Sequence, residues 1–225
     1  MPEITRQHSW FGDEQSQKLH QQRLDNGLPL HVSPFSTLVA AMGPHWKPGC
    51  HDAVLAMCQA TYDVGYQVAF YEQPDLCIRP LEGIGTMRNE ALRKARREGW
   101  EYLLYVDNDV MPPPDALVSL LRRMVPVVLP LVRYSDGQEH GLTITKIEPS
   151  HGMALITSSV VSFVLFNVRA LASFEAFWED FIGAHEQYHF EKLYDRTGVR
   201  PFLDTDVIVE IVEPPHFPLE NMKGR

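Results

Sequence analysis

Residues 102–109 read Tyr102-Leu103-Leu104-Tyr105-Val106-Asp107-Asn108-Asp109, an unbroken apolar run closed by two carboxylates around an amide. Apolar residues in succession, with no polar alternation, fit a strand buried on both faces, the pattern of a central strand in a parallel sheet. A helical pattern stands immediately before it. Met87, Ala91, Leu92 and Ala95 share one face, Arg93, Lys94, Arg96 and Arg97 lie mostly elsewhere, and Gly99 ends the segment. Gly83 to Gly85 reads as a flexible turn ahead of this helix, with Thr86 as its N-cap. Beyond the carboxylates, Pro112-Pro113-Pro114 can only precede or begin a helix, which continues over Ala116 to Arg123.

Upstream, Thr37 to Met42 is a short apolar strand meeting a loop at Gly43-Pro44. Asp52 opens a stretch with Val54, Leu55 and Cys58 on one helical face, and Tyr66 to Tyr71 is a second strand, stopped by Glu72-Gln73-Pro74. Strand and helix alternating in this way predict an α/β domain with a mainly parallel sheet and helices on both faces. The order then changes. Val125 to Val132 is another apolar strand, followed by β-like runs at Leu142 to Ile147, Met153 to Thr157 and Val160 to Val168. A helical pattern covers Ala170 to about Tyr194, and Asp204 to Val212 is a last strand. Residues 1–35, polar and weakly periodic, read as an N-terminal arm. Residues 36–225 read as one domain, with a nucleotide-binding half over 36–124 and an acceptor-side half over 125–225.

The chain has 225 residues, enough for a sizeable core, and 44% apolar with 22% charged residues is an ordinary globular composition. A net charge of -9 argues against a nucleic-acid partner, which requires a basic footprint. It leaves open a small phosphorylated ligand, whose charge a metal or a few arginines can meet. Cys50, Cys58 and Cys77 form no CxxC pair and read as reduced thiols of a cytoplasmic protein. The first residues lack the basic-then-apolar pattern of a signal peptide. Gly152 to Val168, the most apolar stretch, is too short and too polar for a transmembrane segment.

Asp107 and Asp109 stand where a buried strand ends. In extended backbone, residues two apart point to the same side, so both carboxylates are expected at the carboxyl edge of the sheet, where open α/β folds bind ligands. Their mutual repulsion is relieved by a divalent cation, and hard ions such as Mn²⁺ or Mg²⁺ share such oxygens with a diphosphate. An EF-hand loop is excluded, because glycine is missing from its sixth position and glutamate from its twelfth.

The run TMRNEALRKARREGWEYLLYVDNDVMPPPDAL, residues 86–117, resembles the core of GT-A glycosyltransferases, particularly their family-2-like bacterial and phage members. Those proteins show Arg-Asn early in a helix, then a strand ending in D-x-D, then a proline-led helix. The resemblance implies a GT-A, Rossmann-like fold and a metal-dependent transfer of sugar from a nucleotide-sugar donor, a UDP- or GDP-sugar, to an acceptor hydroxyl. It implies Asp109 as the direct metal ligand and Asp107 on the ribose or the metal. Glu72 would lie near the base or ribose, Arg88 and Asn89 beside the donor, and His216 would be a late metal ligand. Aligned on Phe190 and Gly198, Glu186-Gln187 falls over the family's Glu-Asp pair, which makes Glu186 the general base; Glu179-Asp180 is the alternative pair.

His185-Glu186-Gln187-Tyr188-His189 also matches H-E-x-x-H, so a zinc hydrolase, with a third ligand from Glu210 or Glu213, is one alternative. The metzincin extension is missing, and alternating parallel strands and helices do not suit a zincin. A nucleotidyltransferase would share the sheet and the acidic site, but Gly43-Pro44-His45-Trp46-Lys47 matches its glycine-rich basic loop only faintly. A catalytically degenerate sugar-nucleotide-binding module is the non-enzyme alternative, because Gln187 cannot act as a base. No G-x-S-x-G, Walker A or G-x-G-x-x-G pattern supports other chemistry.

Overall fold

The computed structural model describes residues 7–8, 35–42, 45–73, 80–134, 143–150, 152–158, 162–171 and 193–212. In chain order the described elements are β1 (Gln7–His8), β2 (Thr37–Met42), α1 (Cys50–Asp63), β3 (Val68–Glu72), α2 (Pro80–Glu98), β4 (Tyr102–Asp107) and β5 (Val110–Met111). They continue with α3 (Ala116–Arg122), β6 (Val127–Tyr134), β7 (Thr143–Ser150), β8 (Met153–Ser158), β9 (Phe163–Asn167) and β10 (Phe202–Ile211). All the strands belong to one sheet in the order β1-β3-β2-β4-β9-β6-β10-β8-β7, with β5 pairing β10 off this path.

The expected α/β architecture and mainly parallel sheet are what the chain forms. β2 pairs in parallel with both β3 and β4, and β6 pairs in parallel with β10. β9 lies antiparallel between β4 and β6, so β3, β2, β4, β6 and β10 all run one way. The side chains of β2 and β4 alternate between two cores. Leu38, Ala40, Leu103 and Tyr105 pack with Met87, Ala91, Leu92 and Ala95 of α2. Val39, Ala41, Leu104 and Val106 pack on the other face with Val54 and Met57 of α1 and Leu117 and Leu121 of α3. Every residue from Tyr102 to Val106 is buried, as the unbroken apolar run requires of a strand covered on both sides.

Two expectations change. The segment read as a flexible turn at Gly83 to Gly85 is helical, because α2 starts at Pro80 and runs through both glycines. Proline's fixed φ suits a first helical turn, and packing of the apolar stripe on the sheet outweighs the weak propensity of glycine. The helix expected from Ala170 does not begin there, since residues 168–171 form a turn. Most of that span lies outside the described residues, and 193–197 are helical. Within the N-terminal arm, Gln7 and His8 add an antiparallel strand to β3, opposite Tyr71 and Phe70.

Candidate active site

From β2 the chain passes to β3 on one side and then crosses to β4 on the other. This reversal opens a crevice between the carboxyl ends of β2 and β4, the place where open α/β sheets bind ligands. Two segments meet there: the loop leaving β2, residues 45–49, and the turn Asn108-Asp109 leaving β4. They are tied directly. Lys47 N–H donates to Asn108 O at 3.0 Å, and Asn108 Nδ2 donates to His45 O at 2.8 Å. Gly49 then turns the chain into α1 with φ 81°, a conformation glycine adopts without cost. A Cβ there would stand 3.2 Å from Met111 Cε, so the start of α1 rests closely on β5.

The turn is held from two further sides. Asp107 N–H donates to Ser162 O, beside β9, at 2.9 Å, and Asp109 O accepts from Val212 N–H at 3.0 Å. β5 follows at once and pairs antiparallel with β10, Val110 opposite Ile211 and Met111 opposite Glu210. The same-side argument from extended backbone therefore does not apply to Asp109. β4 ends at Asp107, and residues 108–109 form a turn because the chain must reverse to pair with β10. The two carboxylates share one tight turn, not one face of a strand.

Arg88, on α2, is 3% exposed, and its Nη2 lies 3.5 Å from Asp107 Oδ1. At that distance the contact is an ion pair more than a hydrogen bond. Its helix turn is fixed to β4, because Tyr105 Oη donates to Arg88 O at 2.6 Å while the guanidinium lies 6.0 Å from the Tyr105 ring centroid. Asn89 is buried on the same helix. Glu72, the last residue of β3, accepts a 2.7 Å hydrogen bond from Trp46 Nε1. Its neighbour Gln73 donates from Nε2 to Met87 O at 2.6 Å and joins the end of β3 to α2.

Cys50 begins α1 beside the turn and is buried. Burial pushes its thiol pKa up, the negative charge of Asp109 adds to this, and Lys47 opposes it. A soft thiol suits a hard cation less well than the carboxylate oxygens of Asp107 and Asp109 beside it. Two carboxylates at the end of a strand suit a small hard cation that completes its shell with water and ligand phosphate oxygens. Among the described residues, no three His, Cys, Asp or Glu side chains group as a metal cage.

Glu72, Arg88, Asn89, Asp107 and Asp109 all lie on α2 or at the carboxyl ends of β3 and β4. Glu186, the alternative Glu179-Asp180 pair, the His185 to His189 motif and His216 lie outside the described residues. Trp46 and Lys47 were not among the residues singled out for a donor site. Their signals in the sequence are the faint loop match over Gly43 to Lys47 and their position, directly after the first strand of an α/β pattern.

No family model matches the chain, and no curated protein matches it in sequence. Solved structures match it in fold. GalNAc-T7, crystallised with UDP, GalNAc and Mn²⁺, superposes with a TM-score of 0.53 at 9% identity over 80% of this chain and 44% of that one. This chain thus spans less than half of the GalNAc-T7 structure. A mutant of Drosophila β1,4-galactosyltransferase 7, in complex with manganese, UDP-Gal and xylobiose, gives 0.52 at 11% identity over 84% of this chain and 79% of that one. The A197 protein from STIV gives 0.50 at 9% identity over 80% and 86%.

Proposed function

We propose that this chain, which has the GT-A fold of glycosyltransferases, moves a sugar from a nucleotide-sugar donor to an acceptor hydroxyl with the help of a divalent metal. The observation that carries the reading is the Asp107-Asn108-Asp109 turn at the strand reversal, bonded to the loop that leaves β2. A nucleoside diphosphate laid across this crevice has its base and ribose toward Trp46 and Glu72 and its phosphates toward the carboxylate turn.

Asp109 and Asp107 hold Mn²⁺ or Mg²⁺ in this reading. Bound there, the metal supplies Lewis acidity that offsets charge on the departing nucleoside diphosphate. Arg88 holds Asp107 in place through their ion pair, and Asn89 sits beside the donor. His216, four residues beyond Val212, is the third protein ligand by resemblance; its support is that the chain leaves β10 at a residue bonded to Asp109. Glu186 accepts the proton of the acceptor hydroxyl as it attacks the anomeric carbon. The free thiols of Cys50 and Cys58 suit a reducing compartment, the cytoplasm.

The test is thermal stabilisation by UDP, GDP, CMP and their sugars, with and without Mn²⁺, in the natural chain and in Asp109→Ala. A ligand that binds only the native state raises the midpoint. A metal-dependent shift that disappears in Asp109→Ala is expected; flat responses from a folded protein would overturn the donor-site reading.

A further inference from the structure

Lys47 is the only lysine or arginine between Met42 and Cys50, and its backbone is held at the carboxylate turn through both of its polar groups. Its N–H donates to Asn108 O at 3.0 Å, and its carbonyl accepts from the Cys50 N–H at 3.1 Å. The residue before it is anchored as well. The Trp46 indole donates to Glu72 Oε1 at 2.7 Å and packs edge-on to His51 at 5.2 Å between centroids. Pro48 follows, and its fixed φ stiffens the loop on the other side. Lys47 is half-buried. The Cys50 thiol, raised first by burial, feels the charges of Asp109 and Lys47 in opposite senses, so both charges act at the start of α1.

We infer that Lys47 is a further donor-binding residue: its ammonium attracts the donor's diphosphate at the carboxylate turn and, by the same charge, weakens the turn's hold on the metal alone. The inference rests on the donor-site reading above. The diphosphate of a sugar nucleotide carries two negative charges and the divalent metal two positive ones, so the pair enters as a neutral unit. The turn carries two carboxylates. Arg88, which pairs with Asp107 at 3.5 Å, supplies one positive charge, and Lys47 supplies the second. Without the lysine, the diphosphate would approach a surplus of negative charge in a partly desolvated crevice, where Coulomb interactions exceed those in water. An ammonium on a flexible stem suits this task, because it meets phosphate as a point charge and needs no fixed fork geometry. The same charge acts with opposite sign on the two ligands. It repels the cation and attracts the diphosphate.

The test reads two constants of the full chain, natural and Lys47→Met. One is the affinity for Mn²⁺ alone, followed by the spin-resonance signal of the free ion. The other is the affinity for UDP and for GDP at saturating Mn²⁺, followed by calorimetric titration. Lys47→Met is expected to bind Mn²⁺ roughly threefold or more tightly, because a repelling charge is gone. It should bind the tighter of the two nucleotides roughly tenfold more weakly, the loss of a charge-assisted contact to phosphate. Lys47→Arg keeps the charge and should hold both constants within about threefold of the natural chain. Movement of both constants in one direction, as a merely structural lysine would give, overturns the inference and leaves the donor site standing. So does an unchanged constant, the mark of a lysine turned away from the crevice. Lys47→Gln reads the same two constants should the apolar replacement not fold. Failure of UDP and GDP alike to bind the folded natural chain overturns both readings.

Discussion

Val212 donates its backbone N–H to the carbonyl of Asp109 at 3.0 Å, so the end of β10 closes the turn that carries the second carboxylate. The pairing of β5 with β10 continues this connection by two residues. The carboxylate turn is therefore part of the sheet, and the late part of the chain helps to position it. Proline has no N–H, so Val212→Pro removes the closing bond. It should cost about 1 kcal/mol of stability, the net worth of one hydrogen bond. Mn²⁺-dependent UDP binding should weaken by roughly tenfold, because an oxygen displaced by a fraction of an ångström no longer meets a small hard cation well. Urea unfolding and calorimetric titration measure the two effects separately.

Arg88 is a buried cation that pairs with Asp107 at 3.5 Å. Arg88→Met keeps much of the side-chain volume and leaves Asp107 without the guanidinium. Because Asp107 is partly exposed, the loss of stability should stay near the lower end for a broken ion pair, about 1–3 kcal/mol. Nucleotide binding should suffer more, falling by roughly tenfold or beyond as Asp107 loses its fixed position. Arg88→Lys should recover part of the affinity, since it restores charge without the planar fork. Recovery by lysine that equals the natural chain would show that only the charge matters.

Cys58 supplies a pH prediction. Burial alone pushes its thiol up to about 12 from an ordinary 9.0. Between these values the unfolded chain has released the proton and the folded chain has kept it, so unfolding gives up a proton and alkali favours it. Stability contributed by this group is intact below about pH 9 and declines as pH rises toward 12, by about 1.4 kcal/mol per pH unit within that window. Tyrosines and lysines also titrate there, so the comparison is with Cys58→Ala. That variant should be less stable at neutral pH by about 1 kcal/mol, because it loses a buried sulfur, and its alkaline decline should be shallower by one proton. Identical slopes in chemical denaturation between pH 8 and 10.5 would exclude the effect.

The parts of the fold read from sequence are those that depend on local pattern. Tyr102 to Val106 declares a doubly covered strand because five apolar residues cannot face water, and the stripe from Met87 to Ala95 declares a helix because it repeats at the helical period. What the pattern missed depends on partners distant in sequence. β9 is an apolar run like β6, and nothing in Phe163 to Asn167 says that it enters antiparallel between β4 and β6. Asp109 looked like a strand residue because the need to reverse toward β10 is not written near it. Gly83 and Gly85 looked like a turn because glycine disfavours helices, yet packing on the sheet carries α2 through them. The Trp46–Glu72 bond joins residues 26 apart and has no periodic signature.

Met124 ends α3 in a left-handed conformation, φ 52°, with 72% of its side chain exposed. That position after a helix normally takes glycine, because a Cβ there crowds the backbone. Its N–H bonds to Leu121 O, so the strained geometry is part of the helix stop. Met124→Gly should raise stability by about 1 kcal/mol, with no loss of core packing and no change in nucleotide binding. A lower melting temperature would mean that the exposed side chain is covered in a way that outweighs the backbone gain.

At the far end of β10 from Asp109, Asp204 is fully buried and grips Arg123 through two bonds. Arg123 Nε donates to Oδ2 at 2.7 Å and Nη2 to Oδ1 at 2.9 Å. Asp206 N–H donates to the same Oδ1 at 3.0 Å, and Nη2 also reaches Asp206 Oδ2 at 2.7 Å. These bonds sit where the pairing of β10 with β6 shifts register, so they hold an irregular strand in place and join it to the end of α3. Gly152 completes the arrangement. Its carbonyl accepts from the Thr205 N–H and Oγ1, and a Cβ at Gly152 would fall 2.2 Å from Asp206 Oδ2. Asp204→Asn keeps the shape but removes the buried charge and leaves one oxygen to serve three donors. A loss of about 2–4 kcal/mol follows from breaking a buried pair. Because the cluster lies at the opposite end of the strand, UDP affinity of the molecules that remain folded should stay within twofold of the natural chain. A large loss of affinity without loss of stability would show instead that the register of β10 is transmitted to the carboxylate turn through Val212.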